Sequence, residues 1–185
     1  MSSIDNESPK RAYIGLGSNL GDRVQHLIDA KDQLNALENT RDLRCSSLYE
    51  SSPVGFSDQA NFINCVIGLD YCADHNMLFS AMQSIEQSLG RTRDPDNQNG
   101  PRSIDLDLLL FGSFQRNDSE LTLPHPRMNH RLFVLIPLRE LQPQLNAPNF
   151  GSIDDLLKIG KEKNYFDGQE IRKLNDKELG DWVPA

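Results

Sequence analysis

The segment Arg102-Ser-Ile-Asp-Leu-Asp-Leu-Leu-Leu-Phe111 is short and apolar, yet it carries two carboxylates where a buried strand would normally carry none. Side chains alternate along a strand, so we expect Asp105 and Asp107 to share one face, about 7 Å apart along the backbone. The opposite face would then carry the apolar residues Ile104, Leu106, Leu108 and Leu110.

Two neighbouring carboxylates repel each other, and burying them is costly unless protons, Lys or Arg side chains, or hard cations compensate their charge. Mg²⁺ meets this need because it takes oxygen ligands and shares its remaining positions with water and substrate phosphates. A carboxylate pair that holds two such ions suits phosphoryl chemistry. The alternative is an edge strand whose aspartates simply face water, because an isolated Asp-x-Asp motif often carries no function.

Composition limits the fold and the class of partner. A chain of 185 residues, 37% of them hydrophobic, is long enough for one domain with a real core. A net charge of −8 argues against a protein that binds nucleic acid. The three cysteines are odd in number and lack metal-ligand spacing, and Cys45 and Cys65 lie in strand-like apolar stretches, which predicts reduced core thiols in a cytoplasmic protein. Neither a membrane span nor a signal peptide is expected.

The apolar patterns, taken in chain order, predict a mixed α+β fold. Strand-like runs begin near residues 11, 43 and 62, and the fourth is the aspartate segment. Helical stripes begin near Asp22 and at Asn76, which we expect to cap the second helix. This βαββαβ order is that of a ferredoxin-like sandwich, an antiparallel sheet with helices packed on it. Rossmann and P-loop motifs are missing from the sequence, so side chains and loops would hold any nucleotide.

The chain divides by composition into three parts. Residues 1–10 are polar and predict a disordered N-terminal extension. Residues 11–160 hold the strand and helix patterns and would form the functional domain. Residues 161–185 predict a charged C-terminal extension of mixed sign.

Several polar residues stand where they could contact a ligand. Arg91, Arg93 and Arg102 lead into the aspartate strand, a composition suited to gripping phosphates; the alternative is a solvated loop with incidental charges. Asn64 interrupts an apolar strand with an amide that could bind the edge of a heterocycle, or could bond to the backbone of the sheet. His125 lies between two prolines that stiffen the backbone and present its ring.

Four separated stretches of the chain together match the pattern of one protein family. They are Tyr13-Ile-Gly-Leu-Gly-Ser-Asn-Leu-Gly21, Ser46-Ser-Leu-Tyr-Glu-Ser-Ser-Pro-Val-Gly55 with Phe62-Ile-Asn64, Gly100-Pro-Arg-Ser-Ile-Asp-Leu-Asp-Leu-Leu-Leu-Phe111, and Leu121-Thr-Leu-Pro-His-Pro126. Together they resemble the 6-hydroxymethyl-7,8-dihydropterin pyrophosphokinase family of folate biosynthesis. The resemblance runs from about Ala12 to about Leu145. It implies a ferredoxin-like fold and transfer of the β,γ-diphosphate of ATP to the hydroxymethyl oxygen of the pterin, leaving AMP.

The resemblance also implies a role for particular side chains. Asp105 and Asp107 would hold two Mg²⁺ ions, while Arg91 and Arg102 would neutralise charge on the transferred group. Contacts with ATP would come from Gln83, Glu86, Arg93, Thr122, His125 and Arg131. The pterin would stack between the rings of Phe62 and Phe133. Its polar edge would be bound by the amide of Asn64 and by the loop that contains Ser51, Ser52 and Val54. These roles agree with in-line displacement at phosphorus, which asks mainly for positioning and charge neutralisation. We expect a monomer whose partners are ATP and the pterin.

The sequence departs from the family pattern at three places. Ser51-Ser52 stands where many relatives have Thr-Pro, which predicts a more flexible pterin loop. Glu120 stands where several relatives carry Arg, so one possible phosphate contact is lost. Residues 93–100 lack the aromatic residue that some relatives place there.

Two other functions are compatible with the same fold. One is a non-catalytic nucleotide- or pterin-binding module, against which the intact aspartates and arginines count. The other is an RNA-binding domain, which would need exposed aromatic residues on the sheet inside a basic field. The acidic composition does not provide that field.

Overall fold

The computed structural model describes residues 8–55, 58–91 and 100–184. It contains four α-helices: α1 (Arg23–Ala36), α2 (His75–Ser88), α3 (Leu132–Leu141) and α4 (Ile153–Glu162). The strands are β1 (Lys10–Ser18), β2 (Thr40–Cys45), β3 (Tyr49–Ser51), β4 (Phe62–Tyr71), β5 (Asp105–Phe111), β6 (Arg116–Asn117), β7 (Thr122–Leu123), β8 (Asn146–Ala147), β9 (Gly151–Ser152) and β10 (Ile171–Lys173).

The main sheet has the strand order β10-β3-β4-β1-β5, and every pairing in it is antiparallel. Strand β2 also pairs with β4 in the antiparallel sense, so β2 and β3 act as two halves of one interrupted strand. With α1 after β1 and α2 after β4, the order is the predicted ferredoxin-like βαββαβ plan. The α+β fold class is therefore confirmed.

Each face of the sheet carries its own apolar cluster. One cluster joins the sheet to α1 and α2 and includes Ile14, Leu27, Ile67 and Leu78. The other joins the opposite face to α3 and α4 and includes Tyr13, Val66, Val134 and Leu156. The helices thus cover both faces, because the inner strands are apolar on both.

Strand β5 follows the predicted alternation over its first half. Asp105 and Asp107 are partly exposed on one face, whereas Leu106 and Leu108 are buried on the other. The prediction that Leu110 shares the face of Leu108 is wrong. The register with β1 shifts between Tyr13 and Ile14, which pair with Leu110 and Leu108, so Leu109 and Leu110 both pack in the α3 and α4 cluster.

Aspartates cap the first two helices. Asp22 accepts a hydrogen bond from the backbone N–H of Gln25 at the start of α1, where the helix was expected to begin. The predicted cap of α2 at Asn76 is wrong. Asp74 caps this helix, accepting from the backbone N–H groups of Asn76 at 2.7 Å and Met77 at 3.0 Å.

The C-terminal stretch packs on the sheet. Strand β10 pairs with β3 at the sheet edge, and Trp182 is buried with its indole N–H donating to the carbonyl of Ser46 at 3.0 Å. Lys10 is the first residue of β1, and residues 1–7, assigned to the N-terminal extension, lie outside the described residues. Within the described ranges, no helix combines the length and apolar character that a membrane crossing needs.

Candidate active site

A cavity of about 560 Å³ opens on the α3 face of the sheet, between strands β1, β4 and β5 and the start of α3. Its volume is in the range of small-molecule sites. The structure brings many of the predicted site residues together as its lining: Ser51, Ser52, Val54, Phe62, Asn64, Arg102, Asp105, Asp107, Arg131 and Phe133. Arg91, Gln83, Glu86, Thr122 and His125 are not part of this lining. Arg93 lies outside the described residues.

Asn64 is buried in the cavity wall and is held by a neighbouring strand. Its amide nitrogen donates to the hydroxyl of Ser51 at 2.9 Å. Gly17 is the β1 partner of Asn64, and a Cβ at Gly17 would lie 3.0 Å from the amide oxygen of Asn64. The glycine therefore leaves the space beside β1 that the Asn64 amide occupies at the cavity wall.

Three arginines from three different parts of the chain meet the aspartate pair. Arg91, just after α2, and Arg102, just before β5, bind Asp105, with Arg102 Nη1 at 3.2 Å from Asp105 Oδ2. Arg131, at the N-cap of α3, lies 2.9 Å from Asp107 Oδ2. The alternative prediction was an edge strand whose aspartates face water. Strand β5 does lie at the edge of the sheet, but its aspartates face these guanidinium groups.

His125 lies on the other side of Asp107. Its Nε2 is 3.9 Å from Asp107 Oδ2, and its backbone N–H donates to the carbonyl of Leu109 at 2.9 Å, which holds the residue against β5. Burial lowers the pKa of His125 below 6.5, and the nearby carboxylate of Asp107 only partly opposes this. Burial thus favours the uncharged form of the ring.

The two aspartates differ in acidity. Burial and the negative charge of Asp107 raise the pKa of Asp105, although Arg102 and Arg91 oppose this. Burial also acts to raise the pKa of Asp107, but the combined effect of His125 and Arg131 outweighs it, so the pKa of Asp107 is lowered. The neighbouring cations therefore offset burial at Asp107 but do not fully offset it at Asp105.

Glu86 is buried in α2 and holds both strand β5 and Arg91 in place. Its carboxylate accepts a hydrogen bond from the backbone N–H of Leu106 at 2.8 Å and also pairs with Arg91. Gln83 is partly buried one turn earlier in α2, and the hydroxyl of Thr122 on β7 donates to Asn117 at 3.5 Å. Direct contacts of these three residues with ATP stay predictions.

The aromatic residues expected to stack on the pterin lie beside the arginines. The Arg102 guanidinium is 5.5 Å from the ring centroid of Phe62, and the Arg131 guanidinium is 5.5 Å from that of Phe133. Both contacts are in the range of cation–π interactions. The apolar and the cationic parts of the cavity are therefore continuous.

Sequence reasoning missed one residue of the Gly-Ser-Asn-Leu-Gly motif. Asn19 is buried, and its amide oxygen accepts from the backbone N–H of Arg102 at 2.8 Å. Its amide nitrogen donates to the side chain of Gln59 at 2.9 Å and to the carbonyl of Ala60 at 3.2 Å. Asn19 thus joins the loop before β4 to the segment before β5. Its place in a glycine-rich turn was the available signal.

Reasoning from the sequence also missed a wall of the cavity. Tyr165, Asp167, Gly168 and Gln169 line it from the stretch assigned to the C-terminal extension. Nothing in the local pattern of these residues marks a ligand site, because they reach the cavity through contacts with distant parts of the chain, among them the pairing of β10 with β3.

The donor set fits a hard divalent cation. Among the described residues, no group of three or more His, Cys, Asp or Glu side chains forms a self-sufficient metal site. Asp105 and Asp107 nevertheless present carboxylate oxygens side by side to the cavity. Mg²⁺ commonly takes one or two protein carboxylates and completes its shell with water and substrate phosphates.

Comparison with known proteins agrees with this geometry. Residues 13–143 match the model of the 7,8-dihydro-6-hydroxymethylpterin-pyrophosphokinase (HPPK) family. The chain is 39% identical over 158 residues to the Bacillus subtilis protein named 2-amino-4-hydroxy-6-hydroxymethyldihydropteridine pyrophosphokinase, a match that covers 84% of this chain and 93% of that protein. It is 40% identical over 148 residues to the Pseudomonas aeruginosa protein of the same name, with 80% and 90% covered.

A similar fold is found among solved structures. Wild-type HPPK-DHPS of Plasmodium falciparum, crystallised with STZ-DHP, matches with a TM-score of 0.66 at 14% identity, covering 89% of this chain and 46% of that one. The chain therefore spans less than half of that larger protein, and the likeness supports the fold alone. Since the family model matches most of the chain and the bacterial relatives match along nearly their whole length, the chain belongs to the 7,8-dihydro-6-hydroxymethylpterin-pyrophosphokinase family.

Proposed function

We propose that this chain transfers the β,γ-diphosphate of ATP to the hydroxymethyl oxygen of 6-hydroxymethyl-7,8-dihydropterin, giving AMP and the pterin diphosphate in folate biosynthesis. One observation carries this proposal. Arg91, Arg102 and Arg131 meet the Asp105 and Asp107 pair beside a cavity that also contains two aromatic rings and a buried amide. The names of the bacterial relatives support the same reaction.

The pterin occupies the apolar part of the cavity in this proposal. Phe62 and Phe133 contact its ring faces, and Asn64, held by Ser51, binds its polar edge. Ser52 and Val54 complete the loop on this side. A preformed slot of this kind lowers the entropic cost of bringing the hydroxymethyl oxygen to the phosphate.

The polyphosphate of ATP occupies the cationic part. Asp105 and Asp107 would hold two Mg²⁺ ions, whose chemistry when bound is to neutralise charge on the phosphates. Arg91 and Arg102 would stabilise negative charge on the transferred group, because guanidinium forks match phosphate oxygens. Gln83, Glu86, Arg93, Thr122, His125 and Arg131 are proposed to complete the ATP site.

The remaining expectations belong to the same proposal. We predict residues 11–160 as the catalytic domain, although the cavity lining also includes residues beyond this bound, between Tyr165 and Gln169. The chain would be a cytoplasmic monomer that requires neither nucleic acid nor a membrane. The net charge of −8 supports the first of these exclusions.

The test is direct. The protein is incubated with ATP, Mg²⁺ and the hydroxymethyl-dihydropterin, and the nucleotide product is identified by chromatography. AMP formed in proportion to pterin diphosphate is the expected result. ADP as product, or no turnover, overturns the proposal, and pterin binding without turnover identifies a non-catalytic module instead.

A further inference from the structure

Residues 165–170, which we call the C-terminal turn, bridge two opposite walls of the cavity. The turn follows the stretch that matches the family model, residues 13–143. It contributes Tyr165, Asp167, Gly168 and Gln169 to the cavity lining. One wall that it contacts is the start of α3, and the other is the loop after β3.

Gln169 makes the contacts with the start of α3. Its amide oxygen accepts from the backbone N–H of Leu132 at 3.0 Å, and its amide nitrogen donates to the carbonyl of His130 at 2.8 Å. The same nitrogen donates to the carbonyl of Tyr165 at 3.0 Å, which closes the turn. These bonds hold the backbone on both sides of Arg131, the residue that pairs with Asp107.

The start of α3 depends on this contact for hydrogen bonding. Arg131 occupies the N-cap position, but its side chain makes no capping bond. The first N–H groups of a helix need an acceptor from outside the helix. Gln169 supplies one to Leu132, the residue next to Phe133. The ring of Tyr165 adds a contact with the ring of His130, with 4.1 Å between centroids.

Ser52 makes the contacts on the other wall. Its backbone N–H donates to the carbonyl of Glu170 at 3.0 Å, and its hydroxyl accepts from the N–H of Glu170 at 2.9 Å. The hydroxyl also lies 3.3 Å from the carbonyl of Gly168, to which it donates. Proline at position 52 would have neither the N–H nor the hydroxyl. Serine here therefore ties the loop after β3 to the turn, whereas the sequence predicted a more flexible loop.

We propose that Gln169 is a positioning residue for substrate binding, acting through the C-terminal turn to hold Arg131 and Phe133 at a set distance from Ser52. This inference rests on the proposed function, since it takes the pterin as the ligand between these walls. Its physical basis is preorganisation. A wall that is already ordered before binding does not have to be ordered by the ligand, so affinity rises without a new contact.

The experiment compares Gln169→Ala and Gln169→Met with the wild type. Methionine has nearly the volume of glutamine but makes none of the three amide hydrogen bonds. Lys173→Ala is the matched control. Lys173 lies on the adjoining strand β10, outside the cavity lining, and the substitution removes only its exposed ion pair with Glu140 of α3. The dissociation constant of the hydroxymethyl-dihydropterin is measured by calorimetry in the presence of a non-hydrolysable ATP analogue and Mg²⁺, alongside kcat and KM.

Both Gln169 variants should raise the dissociation constant and KM of the pterin about three- to tenfold, with a smaller change in kcat. Lys173→Ala should bind as the wild type does. A purely structural role would lower the melting temperature and leave KM of the folded enzyme unchanged. The inference is overturned if both Gln169 variants bind the pterin within twofold of the wild type. It is also overturned if Gln169→Met binds as the wild type does while Gln169→Ala does not, because volume alone would then suffice. A third contrary result is that Lys173→Ala weakens binding as much as the Gln169 variants do.

Failure of the proposed function gives a different result. A wild-type protein that binds the pterin but forms no AMP overturns the assigned reaction, while the ratio of dissociation constants still decides the role of Gln169. A wild-type protein that does not bind the pterin overturns both.

Discussion

The backbone N–H of Leu106 donates a hydrogen bond at 2.8 Å to the buried carboxylate of Glu86. Leu106 lies between the two aspartates of β5, and the same carboxylate pairs with Arg91, which contacts Asp105. A single side chain from α2 therefore sets the position of the strand that carries the aspartates and of an arginine that faces them.

Replacing Glu86 should separate its hydrogen-bonding role from its charge. Glu86→Ala leaves the Leu106 N–H and Arg91 without this partner, and we expect a loss of about 3 kcal/mol in the free energy of unfolding. Glu86→Gln keeps an acceptor for Leu106 and should cost less. Urea denaturation measures both values. Equal losses for the two variants would contradict the role assigned to the backbone bond.

Asp107 should matter for turnover far more than for folding. Asp107→Ala is expected to lower kcat by about 10²- to 10³-fold, because the interactions it loses are made with cation and phosphate in the transition state. Since its side chain is 34% exposed, the circular dichroism spectrum should match that of the wild type. AMP formation gives the rate. The control is Asp70→Ala, which removes a carboxylate that pairs with Arg11 at the opposite end of β4 from Asn64. Near-normal turnover of Asp107→Ala would rule out the metal assignment.

Two glycines of β1 offer a test of the pterin wall. A Cβ at Gly17 would lie 3.0 Å from the amide oxygen of Asn64, so Gly17→Ala should shift that amide and disturb its bond to Ser51. We expect KM for the pterin to rise about fivefold, as for the loss of one hydrogen bond worth about 1 kcal/mol. Gly15→Ala meets Leu109 at an ordinary 3.6 Å and should have a smaller effect. Steady-state kinetics at saturating ATP distinguishes the two. A larger rise for Gly15→Ala would exclude this explanation.

His75 should make stability depend on pH. Burial lowers the pKa of His75 below its ordinary value of 6.5, and the guanidinium of Arg116 lowers it further. The unfolded chain therefore binds a proton at higher pH than the folded chain does. The contribution of this residue to stability is complete above pH 6.5 and is lost as the pH falls through 6.5 towards the folded pKa.

His75→Phe removes this titration and keeps a ring against Phe114, whose centroid lies 4.2 Å away. The free energy of unfolding is measured by urea denaturation at about pH 7.5 and about pH 5.5. Between these values the wild type should lose more stability than His75→Phe. Identical losses would show that the shifted pKa of His75 has no effect on folding.

The sequence by itself determined the fold class and the acidic, cationic and aromatic residues at the centre of the candidate cavity. Alternation along β5 placed Asp105 and Asp107 on one face, because a period of two is a local property of the strand. The order of strand and helix patterns was sufficient for the ferredoxin-like plan. Local reasoning failed where one residue changes the register, as at Leu109, and where two polar residues compete for one cap, as at Asp74 and Asn76.

Only the tertiary structure decided which arginine meets which aspartate and which residues close the cavity. Gln169 and Leu132 are 37 positions apart, and Asn19 and Arg102 are 83 apart. No local pattern encodes such pairs, because their meeting depends on the packing of β10 against β3 and of β1 against β5. Short motifs therefore supply the functional groups of the candidate site, while contacts between distant parts of the chain set its geometry.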